Sequence, residues 1–210
     1  MKRTAGIVPA AGASVRMGQP KQLLPVGGTT LLDRALGQAL NSKLDRVVLV
    51  LGFKFEEILG RLQTDCHHPK LQIIENKRFR EGMSTSIIAG LSAVEKHYDQ
   101  VMIILADMPH ITSTLINCLL DGFSKSRLPL GAVKTGQRRT HPVMISRPFY
   151  SHVHELRGDV GARNLFDTYS DQVFMVEPSW DIEYRDIDTQ EDYLKLKEST
   201  KTMNTPEKTG

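Results

Sequence analysis

The chain has 210 residues, with 27 Lys+Arg against 24 Asp+Glu and a net charge of +3, too mild a balance to imply polyanion binding from bulk charge. Hydrophobic residues at 40% and charged residues at 24% are ordinary for a globular protein, and no run approaches the ~18 apolar residues a membrane span needs. Cys66 and Cys118 are the only cysteines, which excludes a multi-bridge framework, and Met1-Lys2-Arg3 leads into a short apolar stretch without a secretory cleavage pattern. Neither nucleic acid nor membrane is expected as a partner, and the cytoplasm is the expected address.

In chain order, residues 6–8 (GIV), 46–51 (RVVLVL), 71–74 (LQII), 101–106 (VMIILA), 130–133 (LGAV), 142–145 (PVMI) and 172–176 (QVFMV) read as buried strands. Between them run helical stripes. Leu31, Leu32, Ala35, Leu36, Ala39 and Leu40 follow Thr30, a suitable N-cap; Ile87, Ile88, Leu91 and Val94 follow Ser84, Thr85 and Ser86, with Ser84 the expected cap; Leu115, Ile116, Leu119, Leu120 and Phe123 follow Thr112. This alternation predicts an α/β sheet covered by helices on both faces, with ligands beyond the carboxyl ends of the strands. No composition break divides the chain, so residues 1–198 read as one domain and residues 199–210 as a mobile tail.

The loop after the first strand contains the strongest chemical signal: Ala10-Ala11-Gly12-Ala13-Ser14-Val15-Arg16-Met17-Gly18-Gln19-Pro20-Lys21. Small residues let backbone N–H groups approach anionic oxygens, and Arg16 and Lys21 add fixed positive charge. This is a phosphate cradle by chemistry, although G-x-x-x-x-G-K-S/T and G-x-G-x-x-G are both absent from the chain. Asp107 ends the most apolar run, so its carboxylate must be exposed or paired with a cation, and a divalent metal is one such cation. Two other constellations are discounted. Cys66-His67-His68 cannot easily converge on one metal, and His152 and His154 sit on different faces of one predicted helix.

Ala10-Ala11-Gly12-x-Ser14-x-Arg16-Met17-Gly18-x-x-Lys21 with Leu24-Pro25 resembles the signature loop of the MobA-like nucleotidyltransferases. Further segments extend the resemblance over about residues 6–193: Gly82-Met83-Ser84-x-Ser86-Ile87, Leu105-Ala106-Asp107-Met108-Pro109, and Asp186-Ile187-Asp188-Thr189-x-Glu191-Asp192. His141-Pro142-Val143 and Arg157-Gly158-Asp159-x-Gly161-Ala162-Arg163 are similar to the molybdenum cofactor cytidylyltransferase branch. The resemblance implies a three-layer α/β/α fold of the nucleotide-diphospho-sugar transferase type, with a central mixed, mostly parallel sheet. It implies CTP as the donor, a phosphorylated acceptor such as molybdopterin, magnesium as the cofactor, and a molybdoenzyme or its chaperone as a delivery partner. In its terms Arg16, Lys21 and Asp107 are catalytic; Ala10, Ala11, Gly12, Ser14, Gly82 and Ser86 join them around the nucleotide; His141, Arg157, Asp159 and Arg163 bind the acceptor. Asp107 and Asp188 hold the metal, with Asp186 and Asp192 as competitors for the second place. Ala11 goes with CTP because its methyl narrows the space for a purine. Val8-Pro9 and Pro20-Lys21-Gln22 also resemble the cytidylyltransferase of methylerythritol phosphate synthesis, whose acceptor is a polyol phosphate. A non-catalytic molybdopterin carrier is the reading from another class.

Overall fold

The computed structural model describes residues 2–14, 17–178, 186–187 and 189–203, the last six of these by their backbone alone. The chain runs β1 (Thr4–Pro9), β2 (Pro25–Val26), β3 (Thr29–Thr30), α1 (Leu31–Leu40), β4 (Arg46–Leu51), α2 (Phe55–Arg61), β5 (Leu71–Glu75), α3 (Met83–Val94), β6 (Gln100–Ile103), α4 (Ser113–Lys125), β7 (Leu130–Thr135), β8 (Arg138–Ser146), α5 (Tyr150–His154), α6 (Arg163–Thr168), β9 (Val173–Val176) and α7 (Gln190–Met203). Seven strands form one sheet in the order β5-β4-β1-β6-β8-β7-β9. All run parallel except β8, which pairs antiparallel with both β6 and β7. The sheet is thus mixed and mostly parallel, in a three-layer α/β/α arrangement. Strands covered on both faces need no polar alternation, which is why RVVLVL can be buried from Val47 to Leu51.

The helices follow their apolar stripes. Thr30 caps α1, its hydroxyl accepting from Asp33 N at 3.0 Å, and Thr112 caps α4, accepting from Leu115 N at 3.2 Å. The cap of α3 differs from expectation. The helix begins one residue before Ser84, behind Gly82, and the Asp159 carboxylate from a distant loop accepts from Met83 N at 3.0 Å. Ser84 is instead the second residue of the helix and is buried. At Gly90 a Cβ would lie 2.4 Å from Ile7 Cγ2, so α3 crosses β1 at a distance that only glycine permits.

The periodicity reading does not give the β2–β3 hairpin, the short α2 and α6, or the first half of β8. The backbone of α7 continues to Met203, so part of the expected tail is helical; helix propagation adds a bond per residue and needs no apolar stripe. Residues 204–210 lie outside the described residues. A second apolar cluster of Leu24, Val26, Leu31, Ile187, Tyr193 and Leu196 binds α7 to the hairpin, and Tyr193 OH donates to Pro25 O at 2.7 Å. No helix among the described residues is long and apolar enough to cross a membrane.

Candidate active site

From β1 the chain moves outward to β4 and β5 on one side, then crosses back to β6 on the other. At such a switch point the loops leaving neighbouring strands diverge and open a crevice beyond their carboxyl ends. Here the loops after β1 and β6 border a cleft of about 810 Å³. The loop after β1 contributes Ala10, Ala11, Gly12, Ser14, Lys21 and Gln22, and the loop after β6 contributes Asp107. Gly82 and Ser86 come from the start of α3, and His141, Asp159 and Arg163 from the opposite wall.

The loop after β1 is held by its own side chains. Gln22, 4% exposed, donates from Nε2 to the carbonyls of Ala10 and Gly12, each at 2.8 Å. Ser14, with φ 52°, accepts from Lys21 N at 3.1 Å and donates to Gln22 Oε1 at 3.4 Å. Beyond the loop, Lys21 Nζ pairs with Asp107 Oδ2, joining the two loops of the switch point. Arg16 lies outside the described residues.

Asp107 has a second feature. Its Oδ1 is buried and has no hydrogen-bond partner among the described residues. An orphaned anionic oxygen is costly in that state, and a hard cation is a suitable remedy. Asp186 lines the same cleft, and Ile187 N donates to Asp107 O at 3.0 Å, bringing the closing segment against the end of β6. Asp188 lies outside the described residues, and the Asp192 carboxylate accepts from Thr189 N and Oγ1, while Thr189 Oγ1 caps α7 by accepting from Asp192 N. No three His, Cys, Asp or Glu among the described residues form a metal cage. Magnesium asks for only one or two protein carboxylates, so Asp107 Oδ1 with a neighbouring aspartate fits it.

Ser86 Oγ accepts from the buried Asn76 Nδ2 at 3.0 Å and so keeps its hydrogen to donate. Gly82, at φ 109°, touches the opposite wall: a Cβ there would lie 2.3 Å from the Gly158 carbonyl carbon. The Ala11 methyl packs against Gly52, whose own Cβ would lie 2.9 Å from it.

On the opposite wall, the pairing of β7 with β8 passes from Ala132–Val143 to Val133–Thr140, so His141 and Pro142 bulge out of the ladder. Bulges re-aim side chains, and here His141 lines the cleft. Burial holds its pKa down at about 4, against the pull of the Asp107 carboxylate, so the imidazole is neutral at pH 7. Arg157 is not on the cleft. Its guanidinium donates from Nη1 to His154 O at 3.0 Å and Leu156 O at 2.7 Å, tying down the end of α5. Asp159 does line the cleft, but one of its oxygens is committed to α3.

Reading the sequence missed Arg138, Arg139 and Thr140, which also line this wall. Arg139 is anchored by Asp167 Oδ1 at 2.6 Å and Phe166 O at 3.2 Å. The signal was a basic pair just upstream of Thr140-His141, in a stretch too polar to look like a strand. Of the discounted histidines, His152 Nε2 meets Tyr169 OH at 3.0 Å and His154 Nε2 meets Glu95 at 2.7 Å.

Comparison with known proteins gives the family and the fold. The MobA-like NTP transferase domain matches residues 6–173. Nicotine blue oxidoreductase of Paenarthrobacter nicotinovorans is 29% identical over 91% of this chain and 95% of its own. The molybdenum cofactor cytidylyltransferase of Escherichia coli K12 is 29% identical over 91% of this chain and 94% of its own. Among solved structures, a homologue of Mycobacterium tuberculosis Rv0371c from Mycobacterium sp. strain JC1 matches with TM-score 0.82 and 29% identity, covering 96% of this chain and 98% of that one.

Proposed function

Because the chain belongs to the MobA-like NTP transferase family and is a nucleotidyltransferase, we propose that it moves CMP from CTP to a phosphorylated acceptor of the molybdopterin type. An oxygen of the acceptor phosphate attacks the α-phosphorus of CTP, the bond from that phosphorus to the bridging oxygen breaks, and pyrophosphate leaves. A phosphate nucleophile is already ionised at neutral pH and needs no general base, in keeping with a neutral His141.

The observation that carries this reading is the junction of Lys21 and Asp107 at the switch point, beside a loop of small residues. Chemistry of this kind rests on positioning and on charge stabilisation. Lys21, joined by Arg16, stabilises the negative charge of the triphosphate and of the departing pyrophosphate. Asp107 would hold magnesium with Asp188 or Asp186 as its companion. When bound, the cation neutralises phosphate oxygens and orients them. Ser86 has a hydrogen to donate to the ribose or base, and Arg163 and Arg139 supply the positive wall that an acceptor phosphate requires. CTP as donor is supported by Ala10-Ala11-Gly12 and by the similarity to a cytidylyltransferase.

The test is pyrophosphate release by purified protein with CTP, magnesium and molybdopterin, run beside a polyol phosphate acceptor and beside GTP. Release with CTP and molybdopterin alone is the expected result. Release only with the polyol phosphate moves the acceptor assignment. Tight molybdopterin binding without turnover supports a carrier instead.

A further inference from the structure

The phosphate loop has a residue that controls its shape from behind. Gln22 is 4% exposed, lies in the 3-10 turn at Lys21–Leu23, and spends both amide hydrogens on two carbonyls of one loop, Ala10 O and Gly12 O. In a trans peptide the C=O of one residue and the N–H of the next point in opposite directions. Drawing those two carbonyls toward Gln22 therefore turns the N–H groups of Ala11 and Ala13 away from it. The carbonyl between them, Ala11 O, is taken by Phe53 N at 3.0 Å. Among the described residues, no hydrogen bond runs from the N–H of Ala11, Gly12 or Ala13 to a protein acceptor, and a Cβ at Gly12 would meet nothing within 4 Å. The loop thus leaves the N–H groups of Ala11 and Ala13 unclaimed on the side away from Gln22, donors of the kind that line an anion-binding concavity.

We propose that Gln22 is a positioning residue for the nucleotide's phosphates: it fixes the Ala10–Ala11 and Gly12–Ala13 peptide planes so that the N–H groups of Ala11 and Ala13 face anionic oxygens. The inference rests on the nucleotidyl-transfer reading of the cleft and names what shapes one half of it. Without the two donors, the Ala10 and Gly12 carbonyls have no partner behind the loop, and the peptide planes turn to present carbonyl oxygens where phosphate oxygens should sit. Lys21 and Asp107 stay in place, so the loss falls on phosphate recognition and leaves base recognition alone.

The experiment is calorimetric binding of CTP, inorganic pyrophosphate and cytidine to the parent, Gln22→Met and Gln22→Asn, with melting scans to establish folding. Methionine conserves volume without donors, and asparagine keeps an amide too short to span both carbonyls. Expected is about a tenfold weakening for CTP and pyrophosphate, the equivalent of one ordinary hydrogen bond, with cytidine unchanged. A folded variant that binds pyrophosphate and CTP like the parent overturns the proposal, and so does an equal loss for cytidine, which would mark a general collapse of the cleft. Should Gln22→Met fail to fold, Gln22→Asn decides by the same criteria; should both unfold, Gln22 is a fold residue and the proposal is wrong. If the parent itself binds neither CTP nor pyrophosphate, the nucleotide reading fails before Gln22 is reached.

Discussion

Lys21→Met is the most incisive single change, because it removes the ammonium while keeping the aliphatic stem that crosses between the two loops. Both partners of the Lys21–Asp107 pair are shielded, at 25% and 14% side-chain exposure, so water screens this contact less than it would at a surface. Two unit charges about 4 Å apart at an effective dielectric of about 20 interact by roughly 4 kcal/mol, the scale of what the ammonium exerts on a phosphate oxygen. Removal of one preorganised stabilising contact costs on the order of 10²–10³ in rate, about 2.7–4.1 kcal/mol at 1.36 kcal/mol per decade. The two figures agree, and kcat/KM for pyrophosphate release should fall by 10²–10³. A second consequence separates charge from shape. In the free protein the ammonium occupies Asp107 Oδ2, so the variant should bind manganese more tightly than the parent when no nucleotide is present. Electron paramagnetic resonance of free manganese measures this directly. Transfer within a factor of a few of the parent, with unchanged manganese affinity, would refute the assignment of Lys21 to the triphosphate.

Asp107→Asn should lose magnesium-dependent turnover while folding normally, and a magnesium titration superimposable on the parent's would retire the carboxylate as a metal ligand. CTP with magnesium should raise Tm more than GTP or ATP at equal concentration, by the equivalent of about 2.7 kcal/mol at 100 Kd; equal shifts for all three would remove CTP selectivity. The Ala11 methyl packs on Gly52, so Ala11→Gly should only partly relax the preference, by about 1–3 kcal/mol at most. His141 is held at about pKa 4 against an ordinary 6.5, so the unfolded chain binds the extra proton first and stability drains as pH falls from 6.5 to 4. His141→Gln should flatten that part of the stability curve by at most about 3 kcal/mol, and parallel urea curves for the two proteins across that range would contradict the burial argument.

Much of the sheet was visible in the sequence because parallel strands buried on both faces are written as unbroken apolar runs, as at Val47 to Leu51 and Val101 to Ile103. β8 was visible only from Pro142 onward. Its earlier residues, Arg138 to His141, are polar because they face the cleft, and the same property that makes them useful hid them from a hydrophobic reading. The loop after β1 and Asp107 could be singled out because their chemistry is local: small residues, two cations, and one carboxylate at the end of an apolar run. The roles of Gln22 and Asp159 could not. Each is defined by the backbone atoms its side chain meets once the chain is folded, the Ala10 and Gly12 carbonyls within the same loop for one and Met83 N from a separate element for the other, and no spacing rule encodes that. Arg157 shows the converse, since its place in a matching motif does not foretell that nearby carbonyls will claim its guanidinium.

The hydrogen bond from Ile187 N to Asp107 O bears on how the protein comes into being on the ribosome. Asp107 emerges midway through synthesis, yet the strand that follows its loop and the segment that returns to its backbone come much later. The hairpin that follows the loop after β1 waits even longer for its partners, because Leu24 and Val26 pack against Ile187, Tyr193 and Leu196. A nascent chain that has exposed every strand but not its closing helix therefore carries an unfinished centre. Vectorial synthesis therefore delivers last the segment that closes against Asp107, after every strand of the sheet has already been made.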